Sequence, residues 1–163
     1  MGRVIRAAAG TAFFFVAAPG TMAGLVPWLI TRWSDARGGF LGVIGAALVL
    51  AGLAVVVACF ARFVTEGRGT PAPVAPTEQL VVGGIYRFVR NPMYVGVTAM
   101  IGGQAMVFRS PATALWAGVF LATTAAFVTL YEQPTLQQQF GDSYDRYRRA
   151  VPGWWPRLTP YRD

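Results

Sequence analysis

The sequence predicts an all-α, polytopic membrane protein with four transmembrane helices and a C-terminal amphipathic helix at the membrane interface. Of its 163 residues, 55% are hydrophobic and 13% are charged, whereas a soluble domain carries about 25% charged residues. Four apolar stretches occupy residues 7–30, 40–64, 93–108 and 112–131. Three of them reach the roughly 20 residues that cross a bilayer as a helix, and the stretch 93–108, slightly short, can extend over Phe88 and Val89.

The first two stretches predict a two-helix scaffold, residues 1–64, within a single membrane domain of residues 1–163. A cleaved signal peptide is the alternative for the first stretch, because Arg3 and Arg6 precede it. The apolar run continues to Ile30, however, and this is longer than a usual signal core. We therefore expect the first stretch to remain in the protein as a membrane helix.

Small residues at four-residue spacing predict close helix packing in this scaffold. Gly38, Gly42 and Ala46 recur at this interval, as do Ala47 and Ala51. Small side chains let two helices approach closely in lipid. Such faces can pack within one chain or between chains, so the sequence leaves the oligomeric state open.

A loop and a helical hairpin follow the scaffold. Residues 65–92 form the predicted cytosolic loop, because its first part is rich in glycine and proline. Asn91-Pro92 then predicts a helix start, with asparagine as the cap and proline at the first helical position. The tight turn Arg109-Ser110-Pro111 makes residues 93–131 an antiparallel hairpin. This hairpin brings Asn91 and Glu132 to the same level of the membrane.

The last predicted unit is a cytosolic tail, residues 132–163. Pro134 predicts a break after the fourth membrane helix and the first turn of a new helix. Apolar residues then recur at helical spacing opposite charged ones, which predicts an amphipathic interfacial helix bent at Gly141. We expect Tyr144 and Tyr147 chiefly to anchor this helix at the interface, although either could close a pocket.

The distribution of arginine predicts the orientation in the membrane. All fourteen basic residues are arginines, and four spans place eleven of them on the side that holds both termini and the central loop. Positive-inside bias puts that side in the cytoplasm of the cell (inner or plasma) membrane. The net charge of +7 fits attraction to anionic lipids, so the bilayer is the expected partner. Dispersed arginines with no compact basic helix argue against nucleic acid.

The residue types that the sequence lacks limit its chemistry. It contains no histidine, which removes the usual general base near neutral pH and the commonest metal ligand. Its one cysteine, Cys59, lies in an apolar stretch and allows neither a disulfide nor a thiolate metal site. We therefore expect no metal.

Two polar features flank the hairpin on its predicted cytoplasmic side. Glu132 lies at a membrane boundary, where an acid is unfavourable unless it is hydrated or paired, and this makes it a functional candidate. The turn 90–94 opens a helix whose free amides and positive dipole can hold a carboxylate, with Arg87 or Arg90 adding charge. Each feature also has an ordinary explanation, as a hydrated boundary acid and as a capped helix with flanking arginines.

The segments around these residues resemble the signature of the isoprenylcysteine carboxyl methyltransferase family, integral membrane enzymes whose relatives include phospholipid N-methyltransferases. The resemblance covers roughly residues 78–152 with the spacing between its pieces kept. Those pieces are Gly84-Ile-Tyr86, Arg90-Asn-Pro-Met-Tyr-Val-Gly96, Glu132-Gln133, Phe140-Gly-Asp-Ser-Tyr-Asp-Arg-Tyr147 and Val151-Pro152.

This resemblance implies S-adenosylmethionine as the cofactor and transfer of its methyl group to an amphiphilic, isoprenoid or lipid-like acceptor that enters from the bilayer. The aromatic faces of Tyr86 and Tyr94 suit a sulfonium cation, and the tail 132–163 would close over the cofactor. The implied catalytic residues are Asn91, Tyr94 and Glu132. The implied cofactor contacts are Glu78, Gln79, Leu80, Val81, Tyr86, Arg90, Asn91, Pro92, Met93, Tyr94 and Glu132.

Three departures from the family pattern bear on the acceptor. Asn91 stands where the family's turn has histidine, and Gln133 replaces the second acid of a glutamate pair. Val128 stands where enzymes acting on prenylcysteine carboxylates carry an arginine. The missing cation puts a prenylcysteine carboxylate substrate in doubt and leaves the acceptor atom open among O, N and S.

Two other functions compete with this interpretation. Membrane sterol reductases, which use NADPH, have a similar C-terminal half but are larger and have more spans. A small transporter or a non-enzymatic membrane protein is the second alternative. Proton-coupled transporters generally place an acid well inside a span, and here no Asp or Glu lies in the middle of a predicted helix.

Overall fold

The regular structure of the chain is helical throughout the ranges that the computed structural model describes, residues 17–67 and 79–162. The α-helices in these ranges are α1 (Val26–Thr31), α2 (Phe40–Arg62), α3 (Pro92–Phe108), α4 (Pro111–Phe127), α5 (Gln133–Phe140) and α6 (Asp142–Ala150). Shorter helical segments adjoin them, with π-helical geometry at Gly20–Leu25, Phe63–Gly67 and Val128–Glu132 and a 3₁₀ turn at Gly84–Arg87.

Two helices are long and apolar enough to cross a membrane, namely α2 and the continuous helix Pro111–Phe140. Only 28% of the most apolar window of α2, and 17% of that of the second helix, is buried inside the protein. Large apolar side chains such as Phe40 and Leu130 therefore face outwards, where lipid rather than water must cover them. The chain is a membrane protein, and its helical class agrees with the sequence prediction.

The remaining two predicted spans differ from these helices. The third helix, α3, is apolar but has 17 residues, the lower end of the length that crosses a bilayer. The first predicted span, residues 7–30, lies partly outside the described residues, and its described part contains the π-helical segment and the short helix α1.

Pairs of glycines let α2 and α3 pack backbone to backbone. A Cβ atom at Gly103 would lie 2.5 Å from the carbonyl oxygen of Gly45, and one at Gly96 would lie 2.9 Å from that of Gly52. Gly45 and Gly52 are seven residues apart, which is two helical turns on one face. Of the glycines predicted for packing, Gly38 faces open space and the neighbour of Gly42 is the preceding loop, so neither packs against α3 within the chain.

Helix α3 begins at Pro92, as the sequence predicts, but Asn91 does not cap it with its side chain. The capping prediction was therefore wrong, and the Asn91 side chain is instead buried. At the far end, Arg109 ends α3 in the left-handed conformation with a φ of 47°. Ser110 then caps α4 by accepting a hydrogen bond from the amide of Thr113 at 3.2 Å, and this turn folds the two helices into a hairpin.

The chain does not break at Pro134. Helix α4 continues through the π-helical segment Val128–Glu132 directly into α5, so the predicted break was wrong. Pro134 does lie in the first turn of α5, directly after the π-helical segment, and it has no N–H to donate to the preceding turn. The interruption comes instead at Gly141, whose φ of 52° separates α5 from α6.

Helix α6 packs one face against the rest of the protein. Tyr144, Tyr147 and the following Val151 form a buried cluster with Leu80, Val82, Leu136, Phe140, Ala150 and Tyr161 around them. Tyr144 is 2% exposed and Tyr147 is 4% exposed. The expectation that these two tyrosines chiefly anchor the helix in the membrane interface was therefore wrong, because both rings pack against protein.

Candidate functional site

A cavity of about 350 Å³ opens where the starts of α3 and α6 meet the end of α4. Most of the residues predicted for the site lie in its wall, namely Leu80, Val81, Tyr86, Arg90, Asn91, Pro92, Met93, Tyr94 and Glu132. Gln79 is exposed and lies outside this wall. Glu78 lies outside the described residues.

Tyr94 and Glu132 meet across the cavity. The hydroxyl of Tyr94 donates a hydrogen bond to Oε2 of Glu132 at 2.9 Å. Tyr94 lies in the first turn of α3 and Glu132 at the end of the π-helical segment after α4, so the hairpin brings them together from 38 positions apart. The carboxylate is therefore held in one orientation at the cavity wall by a residue of the facing helix.

Arg90 and Asn91 form the polar wall beside this pair. Arg90 donates from Nε to the carbonyl of Val151 at 2.8 Å and lies with Nη1 3.5 Å from the hydroxyl of Tyr144. Asn91 is 6% exposed, and its side-chain Nδ2 is buried without a hydrogen-bond partner. A buried donor without a partner is unfavourable by about 1–3 kcal/mol, so this atom calls for an acceptor supplied by water or a ligand.

The amino end of α3 adds backbone donors to the same wall. The first hydrogen bond of the helix runs from the amide of Val95 to the carbonyl of Asn91 at 3.2 Å. The amides of Met93 and Tyr94 precede that bond and have no partner within the helix. Because a helix amino end also carries partial positive charge, Asn91 and these amides together suit a carboxylate.

An aromatic group closes the end of the cavity near the 3₁₀ turn. Tyr86 packs edge-on against Phe63, with ring centroids 5.9 Å apart, and its carbonyl accepts a hydrogen bond from the Tyr147 hydroxyl at 2.7 Å. Burial raises the pKa of Tyr86 and Tyr147 well above the usual tyrosine value, and burial also raises the pKa of Tyr144. All three hydroxyls therefore stay protonated near neutral pH.

The opposite side of the cavity is apolar and comes largely from membrane helices. Its wall includes Met22, Val97, Phe120, Phe127 and Val128. Val128 is 1% exposed, so a buried apolar side chain occupies the position where the resemblance implies an arginine.

Several wall residues were not singled out from the sequence, among them Phe120, Phe127 and Tyr131. These three follow the spacing i, i+7, i+11, which marks one face of a helix. This shared face of the last membrane helix, which ends at Tyr131 beside Glu132 in the sequence, was the signal that could have found them. The wall residues Ala18, Pro19 and Met22 come from a distant part of the chain, and no sequence pattern connects them to the site.

A helical membrane protein with a carboxylate and a helix amino end sharing one cavity fits a class of integral membrane enzymes. Residues 40–143 match the family model described as phospholipid methyltransferase, which is more than half of the chain. The chain belongs to the phospholipid methyltransferase family.

The chain is also similar to a curated isoprenylcysteine methyltransferase, as the motif resemblance predicted. Protein-S-isoprenylcysteine O-methyltransferase from Schizosaccharomyces pombe is 37% identical over 80 residues. The match covers 48% of this chain and 34% of that relative, so it spans about a third of the relative's length. No solved structure matches the chain.

Proposed function

We propose that this protein transfers a methyl group from S-adenosylmethionine to an amphiphilic, lipid-like acceptor that enters from the bilayer. The observation that carries the proposal is the Tyr94–Glu132 hydrogen bond across a cavity whose polar wall includes Asn91, a residue with an unpartnered buried Nδ2. Family membership supports methyl transfer, and the chemistry of the wall supports a cofactor with a carboxylate at one end and positive charge beside it.

The carboxylate of the cofactor fits the Arg90–Tyr94 turn. Asn91 Nδ2 is the one buried side-chain donor without a partner in the described part of the chain. The residues Arg90, Met93 and Tyr94 lie in the same wall. A carboxylate here would give the orphaned amide its missing acceptor and would complement the dipole of α3.

Glu132 fits the hydrogen-bond donors of the same cofactor. A carboxylate accepts hydrogen bonds from several directions, and Tyr94 occupies only one of them, at Oε2. The remaining positions suit an ammonium group or ribose hydroxyls. The ring of Tyr94 offers an aromatic face to a sulfonium cation, and the apolar Leu80, Val81 and Tyr86 suit the adenine end.

The residues of this chain act by binding and alignment. When bound, S-adenosylmethionine supplies a methyl group on a positively charged sulfur, which is a good leaving group. An in-line displacement then needs the nucleophile of the acceptor held opposite the sulfur, and holding two reactants in place can supply about 7–11 kcal/mol of the barrier. Glu132, Tyr94 and Asn91 hold the cofactor in this scheme, and the apolar walls exclude water. A histidine-free chain is compatible with such chemistry.

The acceptor would lie along the apolar wall formed by Met22, Val97, Phe120 and Val128. These side chains suit an alkyl or isoprenoid chain. No arginine other than Arg90 lines the cavity in the described ranges, and Arg90 already bonds to Val151. A carboxylate on the acceptor would therefore find no protein cation on this side, which favours a neutral or amine head group.

We also propose the number of membrane spans and their orientation. Four spans with both termini, the loop 65–92 and the cavity in the cytoplasm would expose the polar wall to a cytosolic cofactor. The apolar wall would then face the acceptor in the lipid. Single cysteines introduced at Ser34 and Ser143 test this orientation: a membrane-impermeant thiol reagent applied to intact cells should label the first and spare the second.

Titration of the purified protein in lipid nanodiscs with S-adenosylmethionine tests the function. We expect saturable binding, with NADPH giving none. NADPH binding without S-adenosylmethionine binding would contradict the proposal and favour a reductase. In cells, mass spectrometry should find methylated lipids with the wild type and with the exposed-site control Asp142→Asn, but not with Glu132→Gln. Equal methylation with all three proteins would also contradict it.

A further inference from the structure

The chain after α6 returns along the segment that precedes α3. Residues 151–161, here called the C-terminal strap, pair with residues 87–91 through four backbone hydrogen bonds of 2.9–3.0 Å. The bonds run from the amide of Arg90 to Pro152, from Asn91 to Gly153, from Arg157 to Phe88 and from Tyr161 to Arg87. The strap thus fastens the turn that leads into the cavity.

The strap also holds side chains of the polar wall from behind. Val151 accepts the hydrogen bond from Nε of Arg90 at 2.8 Å. The ring of Trp154 lies beside the ring of Tyr94, with centroids 6.4 Å apart. None of residues 151–161 is among the described residues that line the cavity. The strap therefore reaches the polar wall through Arg90, Asn91 and Tyr94, and it also packs behind the tyrosines of α6 through Val151 and Tyr161.

The bond to Gly153 matters for the direction of the Asn91 side chain. Asn91 has φ of −115° and ψ of 48°, which lies between the extended and helical regions. Its amide is fixed to the carbonyl of Gly153 at 3.0 Å. Because the backbone conformation sets where a side chain points, this bond helps to aim the unpartnered Nδ2 of Asn91.

Arg157 fastens the middle of the strap. Its amide donates to the carbonyl of Phe88 at 2.9 Å, and its Nη1 donates to the carbonyl of Ala150 at 2.8 Å. Ala150 is the last residue of α6, where carbonyls lack helical partners and a cation is favourable. The Arg157 side chain thus closes the loop of the strap that contains Pro152 and Gly153.

We propose that Arg157 is a positioning residue: by fastening the strap to the end of α6, it keeps Arg90 and Asn91 in the geometry that binds the carboxylate of the cofactor. This inference rests on the proposed function. Arg157 touches neither the cavity nor a reactant, so its removal should weaken cofactor binding while leaving turnover at saturating cofactor unchanged.

The variants Arg157→Ala and Arg157→Lys test the inference, with Arg149→Ala, an exposed arginine of α6, as the matched control. In nanodiscs, Arg157→Ala should raise the Kd and KM for S-adenosylmethionine about tenfold, the factor expected from loss of one charge-assisted hydrogen bond. The kcat and the KM for the acceptor should not change. Arg157→Lys, whose ammonium can still donate to Ala150, should restore most of the affinity, and Arg149→Ala should match the wild type.

Hydrogen exchange gives a readout that is independent of the cofactor. The amides of Arg90 and Asn91 should exchange faster in Arg157→Ala, while those in the middle of α3 keep their protection. If Arg157→Ala does not fold, Arg157→Gln carries the test: it keeps a hydrogen-bond donor on a shorter, uncharged side chain and should still raise the Kd for S-adenosylmethionine.

The outcomes separate the two proposals. A wild type that does not bind S-adenosylmethionine overturns the proposed function and this inference together. A wild type that binds, with an Arg157→Ala variant of unchanged Kd and a lower melting temperature, overturns the inference alone, because the strap would then be purely structural. A lysine variant as weak as the alanine variant would likewise overturn it.

Discussion

The Tyr94–Glu132 pair allows a quantitative test by a double-mutant cycle. The hydroxyl of Tyr94 donates to Oε2 of Glu132 at 2.9 Å and fixes the carboxylate at the cavity wall. A hydrogen bond to a charged group contributes about 1.5–3 kcal/mol, and about 1.4 kcal/mol is a factor of ten in affinity. Tyr94→Phe keeps the ring but frees the carboxylate to turn, whereas Glu132→Gln removes the charge itself.

Isothermal titration of the two single variants and the double variant with S-adenosylmethionine measures this coupling. Each single variant should raise the Kd by at least about tenfold. If Tyr94 acts through Glu132, the double variant should be no weaker than Glu132→Gln alone, a coupling of at least about 1.4 kcal/mol. Asp142→Asn removes one acid at an exposed position and should leave the Kd unchanged. Additive losses, or an unchanged Kd in either single variant, would refute the reasoning.

Three further predictions test packing, ligand contact and ionisation. Gly103→Ala places a Cβ against a carbonyl of α2 and should lower the free energy of unfolding by about 1–3 kcal/mol. Gly102 faces open space, so the control Gly102→Ala should leave stability unchanged. Thermal unfolding measures both. Asn91→Asp should abolish the preference for S-adenosylmethionine over its decarboxylated analogue, which competition binding measures; a retained preference would place the carboxylate elsewhere. The raised pKa of Tyr144 and Tyr147 predicts a melting temperature that falls above about pH 10, where unfolded tyrosines begin to ionise and these two groups start to lose their contribution to stability. A melting temperature that rises there would contradict this.

The helical class and the meeting of the two polar features were predictable from the sequence. Apolar length defines a membrane helix, and the short turn at Arg109-Ser110-Pro111 leaves an antiparallel hairpin as the simple connection. A hairpin of this length places both of its ends at the same level of the membrane, and these ends hold Asn91, Tyr94 and Glu132. The structure brings them into one cavity wall, because this part of the site depends on local order along the chain.

Features that depend on distant contacts were not predictable in the same way. The amphipathic pattern of α6 shows that Tyr144 and Tyr147 share a face, but it does not say whether lipid or protein covers that face. The answer depends on Leu80 and Val82, which pack there from another part of the chain. Likewise, the hydrogen bonds between residues 87–91 and 151–161 use backbone atoms, which leave no mark in the sequence.

The glycine contacts show that the spacing of small residues within one helix does not identify the face that packs. Many small residues lie along α2, and a four-residue interval selects Gly38 and Gly42, whereas the packed positions are Gly45 and Gly52. Which face packs depends on the glycines of the partner helix, and Gly96 and Gly103 carry the matching seven-residue interval. Comparing intervals between two helices, rather than within one, would have identified the packed face.

The most direct test of the central claim is an experimental structure of the protein with S-adenosylhomocysteine bound. We predict that the carboxylate of the ligand accepts a hydrogen bond from Nδ2 of Asn91 and that Glu132 faces its amine or ribose. A ligand bound outside this cavity, or one whose carboxylate lies away from the start of α3, would contradict the account.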